Sequence, residues 1–148
     1  MAVQKDVLIN IIGTQNNGTE EDRVELMTHG RLYEKHGKYY LCYEDSEATG
    51  FAGCRTVVKI EGNDRVTMTR KSEKSRSELV IELGRRHLCH YDTGFGDLFI
   101  GISGNQIDTK SLNMNGGTVK FSYTLDVNTG FESKNSVTIE VKDPSVQQ

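Results

Sequence analysis

The sequence predicts an all-β protein, folded as an antiparallel up-and-down β-barrel of about eight to ten strands. Three observations support this fold class. The 148 residues include 15 Gly, 13 Thr and 12 Val but only three Ala, a composition that favours strands and tight turns over helices. Short segments of alternating apolar and polar residues follow one another with turn residues between them, and no segment has a sustained helical period. Because closure removes the exposed edges of so long a meander, a barrel is favoured over a sandwich.

The first half of the chain predicts five strands, each ended by turn residues. In the first strand Val7, Ile9 and Ile11 share one face, and an Asn-Asn-Gly turn follows. Gly30 lies inside the second strand and is interpreted as a bend or bulge. A Gly-Asn-Asp turn joins the fourth and fifth strands into a hairpin. The predicted ranges are 7–12, 23–34, 39–44, 55–60 and 65–70.

The second half predicts five more strands. The clearest alternation in the chain follows a Gly-Gly pair, with every second residue apolar from Val119 to Val127. An Asn-Thr-Gly turn leads from it into the last strand. One apolar face per strand suits a barrel around a single core. The predicted segments are 77–83, 87–92, 98–102, 119–127 and a final strand with Val137, Ile139 and Val141 inward.

Length and composition indicate one domain over residues 1–148. A single domain is the default at this size, because domains commonly have about 100–150 residues. Leu, Ile, Val and Phe total 36 residues, about 24% of the chain, which is enough for a modest core. The tail 143–148 is polar and is expected to be frayed.

Charge and cysteine content predict the surroundings of the protein. Eighteen basic residues against 21 acidic ones give a net charge of −3, which argues against nucleic acid or an anionic membrane as a partner. No apolar run approaches the roughly 18 residues of a membrane span, and the first residues lack a signal-peptide pattern. The three cysteines, Cys42, Cys54 and Cys89, have no metal-binding spacing and fit reduced thiols. We therefore expect a cytoplasmic protein.

Several short patterns that might suggest catalysis or metal binding are weak. Asp92-Thr93-Gly94 matches the aspartic-protease tripeptide, but that chemistry needs two aspartates and the chain has one copy. His87 and Cys89 fall on one face of their predicted strand and His90 on the other, so they do not form a metal site by themselves. The glycine-rich pieces lack the helix and lysine of a phosphate-binding loop. We predict a protein that is not an enzyme, with neither cofactor nor metal.

Arg70 is the most informative residue for function. It shares the parity of Val66 and Met68 and is therefore expected to point into the barrel near one end. An inward arginine needs an anionic partner or water, because burying it unpaired is costly. Two interpretations follow: a structural network in which Arg70 pairs with Glu44 or Asp92, or a site where Arg70 binds a ligand carboxylate or phosphate. The tyrosines whose parity brings their hydroxyls towards such a site are Tyr43, Tyr91 and Tyr123.

The chain carries a diffuse series of motifs in this order: Tyr43-Glu44, 56–60, 66–70, 77–80, Tyr91-Asp92-Thr93, Gly96, Ile107, 123–126 and Asn135. Their order and spacing, over about residues 24–141, resemble the YwiB-like family of small bacterial proteins, a domain of unknown function. The resemblance implies a calycin-type β-barrel, a fold class that includes lipocalins, and so an internal small-molecule site. The family pattern covers Tyr43, Glu44, Arg70, Tyr91 and Thr93.

These observations predict a barrel that binds a small, anionic and partly apolar ligand in its interior without catalysing a reaction. The predicted ligand-binding residues are Arg70, Tyr43, Glu44, Tyr91, Thr93 and Tyr123. The alternative is a filled barrel that serves as a structural or self-association module, present as a monomer or homodimer. An enzyme using Glu44, Asp92 or His90 as a base has no positive support in the sequence.

Overall fold

The computed structural model describes residues 3–45, 53–73, 75–92, 96–127, 130 and 132–144. These residues form strands and turns without a helix, so none of them belongs to a helix that could cross a membrane. The all-β prediction is confirmed. The strands are β1 (Val3–Asn16), β2 (Glu21–Lys35), β3 (Lys38–Glu44), β4 (Arg55–Glu61), β5 (Arg65–Lys71), β6 (Arg76–Glu82), β7 (Arg86–Asp92), β8 (Asp97–Asp108), β9 (Gly116–Asp126) and β10 (Glu132–Lys142).

Each predicted segment coincides with an observed strand, but β1 and β8 are longer than predicted. β1 begins at Val3 and ends at Asn16, and β8 continues to Asp108. The reason for the longer β1 is pairing on both sides, with β2 over its whole length and with β10 from Leu8 onwards. Backbone hydrogen bonds on both edges extend the strand beyond its apolar alternation.

All ten strands form one antiparallel sheet in the order β6-β5-β4-β3-β2-β1-β10-β9-β8-β7. Its two outermost strands, β6 and β7, are consecutive in the chain and come together, so the sheet is a nearly closed barrel. Glu82 and Arg85 form a bridge there, and Leu83 forms another with Gly104. The backbone N–H of Val80 donates to Cys89 Sγ at 3.4 Å. The predicted up-and-down barrel is confirmed, with a seam between β6 and β7.

Alternation along each strand sends one row of side chains into the barrel, as predicted. The inward residues in the middle of β1, from Val7 to Ile11, are buried, as are those of β4 and residues Val119, Phe121 and Tyr123 of β9. Apolar side chains therefore fill the middle of the barrel. The largest with almost no solvent exposure are Phe121, Ile9, Leu32, Leu41, Ile60, Ile81, Ile102 and Ile139.

The prediction of a bulge at Gly30 is wrong. Gly30 pairs in regular register with Val7 on one side and Tyr43 on the other. The glycine is needed for close packing, because a Cβ there would lie 2.5 Å from the carbonyl oxygen of Cys42. The register shift recorded among the described strands lies instead in β8, between Gly104 and Gln106.

Neighbouring strands of the sheet run in opposite directions. One end of the barrel, called here the Arg70 end, contains the last residues of β1, β3, β5, β7 and β9 and the first residues of the strands that follow them. At the opposite end the hydroxyl of Thr109 donates to the carbonyl of Gly62 at 2.8 Å. Lys5 Nζ there lies 2.6 Å from the buried carboxylate of Asp143. Asp143 is thus anchored at the start of the tail; residues 145–148 lie outside the described part.

Candidate functional site

Arg70 points into the barrel near the end at which β5 finishes, as its parity predicted. Its neighbours on the same face of β5, Val66 and Met68, are buried, whereas the Arg70 side chain is 20% exposed. Its Nε lies 3.6 Å from Oδ2 of Asp45, whose side chain is fully buried. A buried carboxylate thus faces the guanidinium from the residue that follows β3.

Tyr43 and Thr56 connect this ion pair into a ring. Tyr43 of β3 pairs with Thr56 of β4, and Thr56 pairs with Arg70 of β5, so their inward side chains are cross-strand neighbours. The Thr56 hydroxyl donates to Asp45. Tyr43 lies close enough to Thr56 and Arg70 for both side chains to influence the pKa of its phenol.

Both Thr56 and Arg70 lower the pKa of Tyr43 and so oppose the effect of burial on it. The ring runs from Arg70 to Tyr43, Thr56 and Asp45, and closes through the ion pair. It fixes the guanidinium and the Tyr43 phenol from several sides.

The three predicted tyrosines gather around Arg70 and remain protonated at neutral pH. Burial raises the pKa of Tyr43 to about 12, although Arg70 opposes the shift. Burial also raises the pKa of Tyr123 and of Tyr91, and in both cases the charge of Arg70 again acts in the opposite direction. The cluster therefore presents neutral phenol hydroxyls beside a cation.

A cavity of about 160 Å³ lies against this cluster inside the barrel. Arg70, Tyr43 and Tyr123 line it with polar groups. Gly13 creates part of the space, since it occupies an inward position of β1 and a Cβ there would have only the Ser136 carbonyl oxygen nearby, at 3.9 Å. Four apolar side chains also line it: Ile11, Val24, Met68 and Val137.

The other predicted site residues are placed differently. Tyr91 is half-buried near Arg70, but it does not line the described cavity. The placement predicted for Glu44 is wrong, because it follows Tyr43 on the strand and so points outward, where its side chain is 80% exposed and lies 3.9 Å from Arg55. Thr93 and the side chain of Asp92 lie outside the described residues.

Asp45 and Gly13 are site residues that the sequence reasoning missed. Asp45 follows the predicted third strand, 39–44, yet it has the parity of Tyr43 and continues that inward row by one step. The need of an inward arginine for a carboxylate was the signal that could have identified it. Gly13 has the parity of Ile9 and Ile11, so its inward position could also have been predicted from the sequence.

The side chains considered for a metal site have other contacts. His87 Nε2 lies 2.9 Å from Glu82 Oε1, and this contact lowers the pKa of Glu82. Cys89 is buried against Val80, and burial raises the pKa of its thiol. His90 lies on the outside, with its ring against Phe99. Within the described ranges no three His, Cys, Asp or Glu side chains form a group that could hold a metal ion.

The fold and the site together define a small, nearly closed antiparallel β-barrel with a polar cavity at one end. The chain belongs to the family described as a domain of unknown function (DUF1934), whose profile matches residues 9–139. It is also similar to the crystal structure of the ywiB protein from Bacillus subtilis, with a TM-score of 0.78 and 20% identity over 93% of this chain and 92% of that one. The predicted family resemblance is confirmed, and the structural likeness supports the same fold. No curated protein shows a significant match.

Proposed function

We propose that this barrel binds a small, partly apolar anion in the cavity at the Arg70 end and catalyses no reaction on it. The observation that carries the proposal is the mixed lining of the cavity. Arg70 and Tyr123 line it together with apolar side chains such as Met68. A carboxylate or phosphate is recognised by such charged and neutral donors, while the remainder of the ligand contacts the apolar part of the lining.

The cavity volume limits the ligand to a small molecule. A protein cavity of about 150 Å³ accommodates one benzene ring, whereas typical drug-sized sites occupy about 300–1,000 Å³. The 160 Å³ observed here therefore suits a single ring or a short chain that carries one anionic group. The buried carboxylate of Asp45 takes part in the ring with Arg70 and Thr56, so the proposal gives it an orienting role instead of a catalytic one.

Benzoate is a suitable probe, because it combines one ring with one carboxylate. Titration of the full chain with benzoate, followed by calorimetry or by amide chemical shifts, should show saturable binding with shifts centred on Arg70 and Tyr123. The variants Gly13→Ala, Gly13→Val and Gly13→Leu should weaken binding progressively, since they fill the cavity from a position with room for a Cβ. Ile12→Val, on the outer face of the same strand, is the matched control and should leave binding unchanged.

The result that would contradict the proposal is equally specific. Absence of benzoate binding, or equal binding by the native chain and a folded Gly13→Leu variant, would exclude this cavity as the site. Thermal unfolding of each variant establishes that it is folded.

We also place the protein in the cytoplasm as part of the proposal, which the free state of Cys42, Cys54 and Cys89 supports.

Self-association is a second candidate function. A hollow of about 360 Å³ lies on the outer face of β1, β2 and β10. Met27 lines this hollow and is 78% exposed. An exposed apolar side chain beside a hollow favours contact with another protein surface. Light scattering at increasing concentration tests this candidate: a dimer that Met27→Lys dissociates would support it, and a monomer at every concentration would exclude it.

A further inference from the structure

We infer that the cavity at the Arg70 end selects monocarboxylates over phosphate monoesters. The inference rests on the proposed function and adds the charge of the ligand to it. It follows from Asp45, whose fully buried carboxylate lies 3.6 Å from the Arg70 guanidinium. Before any ligand enters, the carboxylate of Asp45 already lies beside the positive charge of Arg70.

The balance of charges makes a second ligand charge unfavourable. Arg70 is the one Lys or Arg side chain among the described residues that line the cavity. A carboxylate brings a single charge, which the guanidinium and neutral phenols can accommodate as hydrogen-bond donors. A phosphate monoester at pH 8 brings nearly two charges, because its second pKa is about 6. The additional charge must lose its hydration without a further cation and in the field of Asp45.

The other polar groups of the lining are neutral. Tyr123 contributes a hydroxyl whose pKa burial raises, which keeps its hydrogen available as a donor, and Gln15 and Asn135 contribute amides. Such groups can donate to the oxygens of either anion, but they cannot neutralise the second charge of a phosphate. The apolar side chains of the lining, such as Ile11 and Met68, contact the ring or chain of the ligand.

Three probes with the same ring separate these effects: benzoate, phenyl phosphate and benzyl alcohol. Titrated against the full chain at pH 8, benzoate should bind at least about tenfold more tightly than either of the others, a difference that corresponds to about 1.4 kcal/mol. In the variant Asp45→Asn the ratio between benzoate and phenyl phosphate should shrink, because the internal negative charge is removed. Glu44→Gln, which removes an exposed carboxylate from the adjacent position, is the matched control and should leave the ratio unchanged.

The outcomes distinguish a failure of the charge selectivity from a failure of ligand binding itself. Binding of phenyl phosphate or benzyl alcohol as tight as that of benzoate, with weakening by Gly13→Val, would overturn the inference and leave the binding cavity in place. Failure of all three probes to bind would overturn the proposed function itself. The comparison on the native chain decides the question even where Asp45→Asn does not fold.

Discussion

Replacing Arg70 by methionine should destabilise the fold, because the substitution removes the cationic partner of Asp45. Methionine preserves an apolar stem of similar reach but has no charge. At the observed 3.6 Å, the attraction between the two charges is about 5 kcal/mol for an effective dielectric constant of about 20. Removing one partner of a buried pair costs about 3–5 kcal/mol in measured cases, because the other charge stays buried.

The structure places the expected cost at the lower end of that range. The Arg70 side chain is 20% exposed, so water already screens part of the attraction. Thr56 continues to donate a hydrogen bond to Asp45 after the substitution. We therefore expect Arg70→Met to lower the free energy of unfolding by about 3 kcal/mol, a large part of the roughly 5–15 kcal/mol of a typical domain.

A double-mutant cycle measured by urea denaturation tests this expectation. Arg70→Met combined with Asp45→Asn should recover about 2 kcal/mol relative to the sum of the single variants, because the unpaired buried charge disappears. Arg55→Met is the matched control on the neighbouring strand, since Arg55 pairs with Glu44 at 3.9 Å on the exposed surface. Its cost should stay below about 1 kcal/mol. Equal costs for Arg70→Met and Arg55→Met, or strictly additive effects in the cycle, would refute the coupled ring.

Three further changes test the ring, the seam and the acid response. Burial raises the pKa of Tyr43 to about 12. The contribution of Tyr43 to the free energy of unfolding should therefore be fully present below pH 10 and be lost as the pH rises towards 12, by about 2–3 kcal/mol in total. Gly104→Ala should cost about 1–3 kcal/mol by urea denaturation, because its Cβ would lie 2.5 Å from the Glu82 carbonyl oxygen across the seam. The pKa of Glu82 is lowered, chiefly by its hydrogen bond to His87, so its contribution should be present above about pH 4.5 and lost on acidification below it.

Each of these predictions has its own control. Tyr43→Phe should remove the part of the alkaline decline that Tyr43 contributes, and an unchanged decline would contradict the assignment. Gly13→Ala should be almost neutral for stability, because a Cβ there meets open space, so equal losses at Gly13 and Gly104 would contradict the seam argument. Glu82→Gln should flatten the acid limb of the stability curve, and an identical limb in the variant would show that other carboxylates determine it.

Strand parity predicted the inside of the barrel well, because side chains alternate with a period of two wherever a strand is regular. That rule placed Arg70, Tyr43 and Tyr123 around one space although they lie on three different strands. The same rule applied to the end of β3 explains both site errors. Glu44 stands one step from Tyr43 and points outward, whereas Asp45 stands two steps away and points inward.

Other features depend on contacts between parts of the chain that are far apart, which local patterns do not encode. The pairing of β1 with β10 joins the two ends of the sequence and determines the length of β1. Gly30 illustrates the same limit: its sequence neighbours suggest a bulge, but the close approach of Cys42 on the next strand explains the glycine. The cavity could not be predicted without the structure, since its volume depends on how residues from six strands pack around it.

Under the proposed function, the ring around Asp45 links the stability of the barrel to its recognition of an anion. A flexible arginine loses side-chain entropy when it binds an anion, and immobilising a long side chain costs about 0.5–1.5 kcal/mol. In this barrel Asp45 and Tyr43 hold Arg70 in place before a ligand arrives, so folding meets that cost in advance. The same carboxylate that orients Arg70 also reduces the net positive charge of the site. Orientation and charge selectivity thus follow from one residue, and Asp45 variants should change both together.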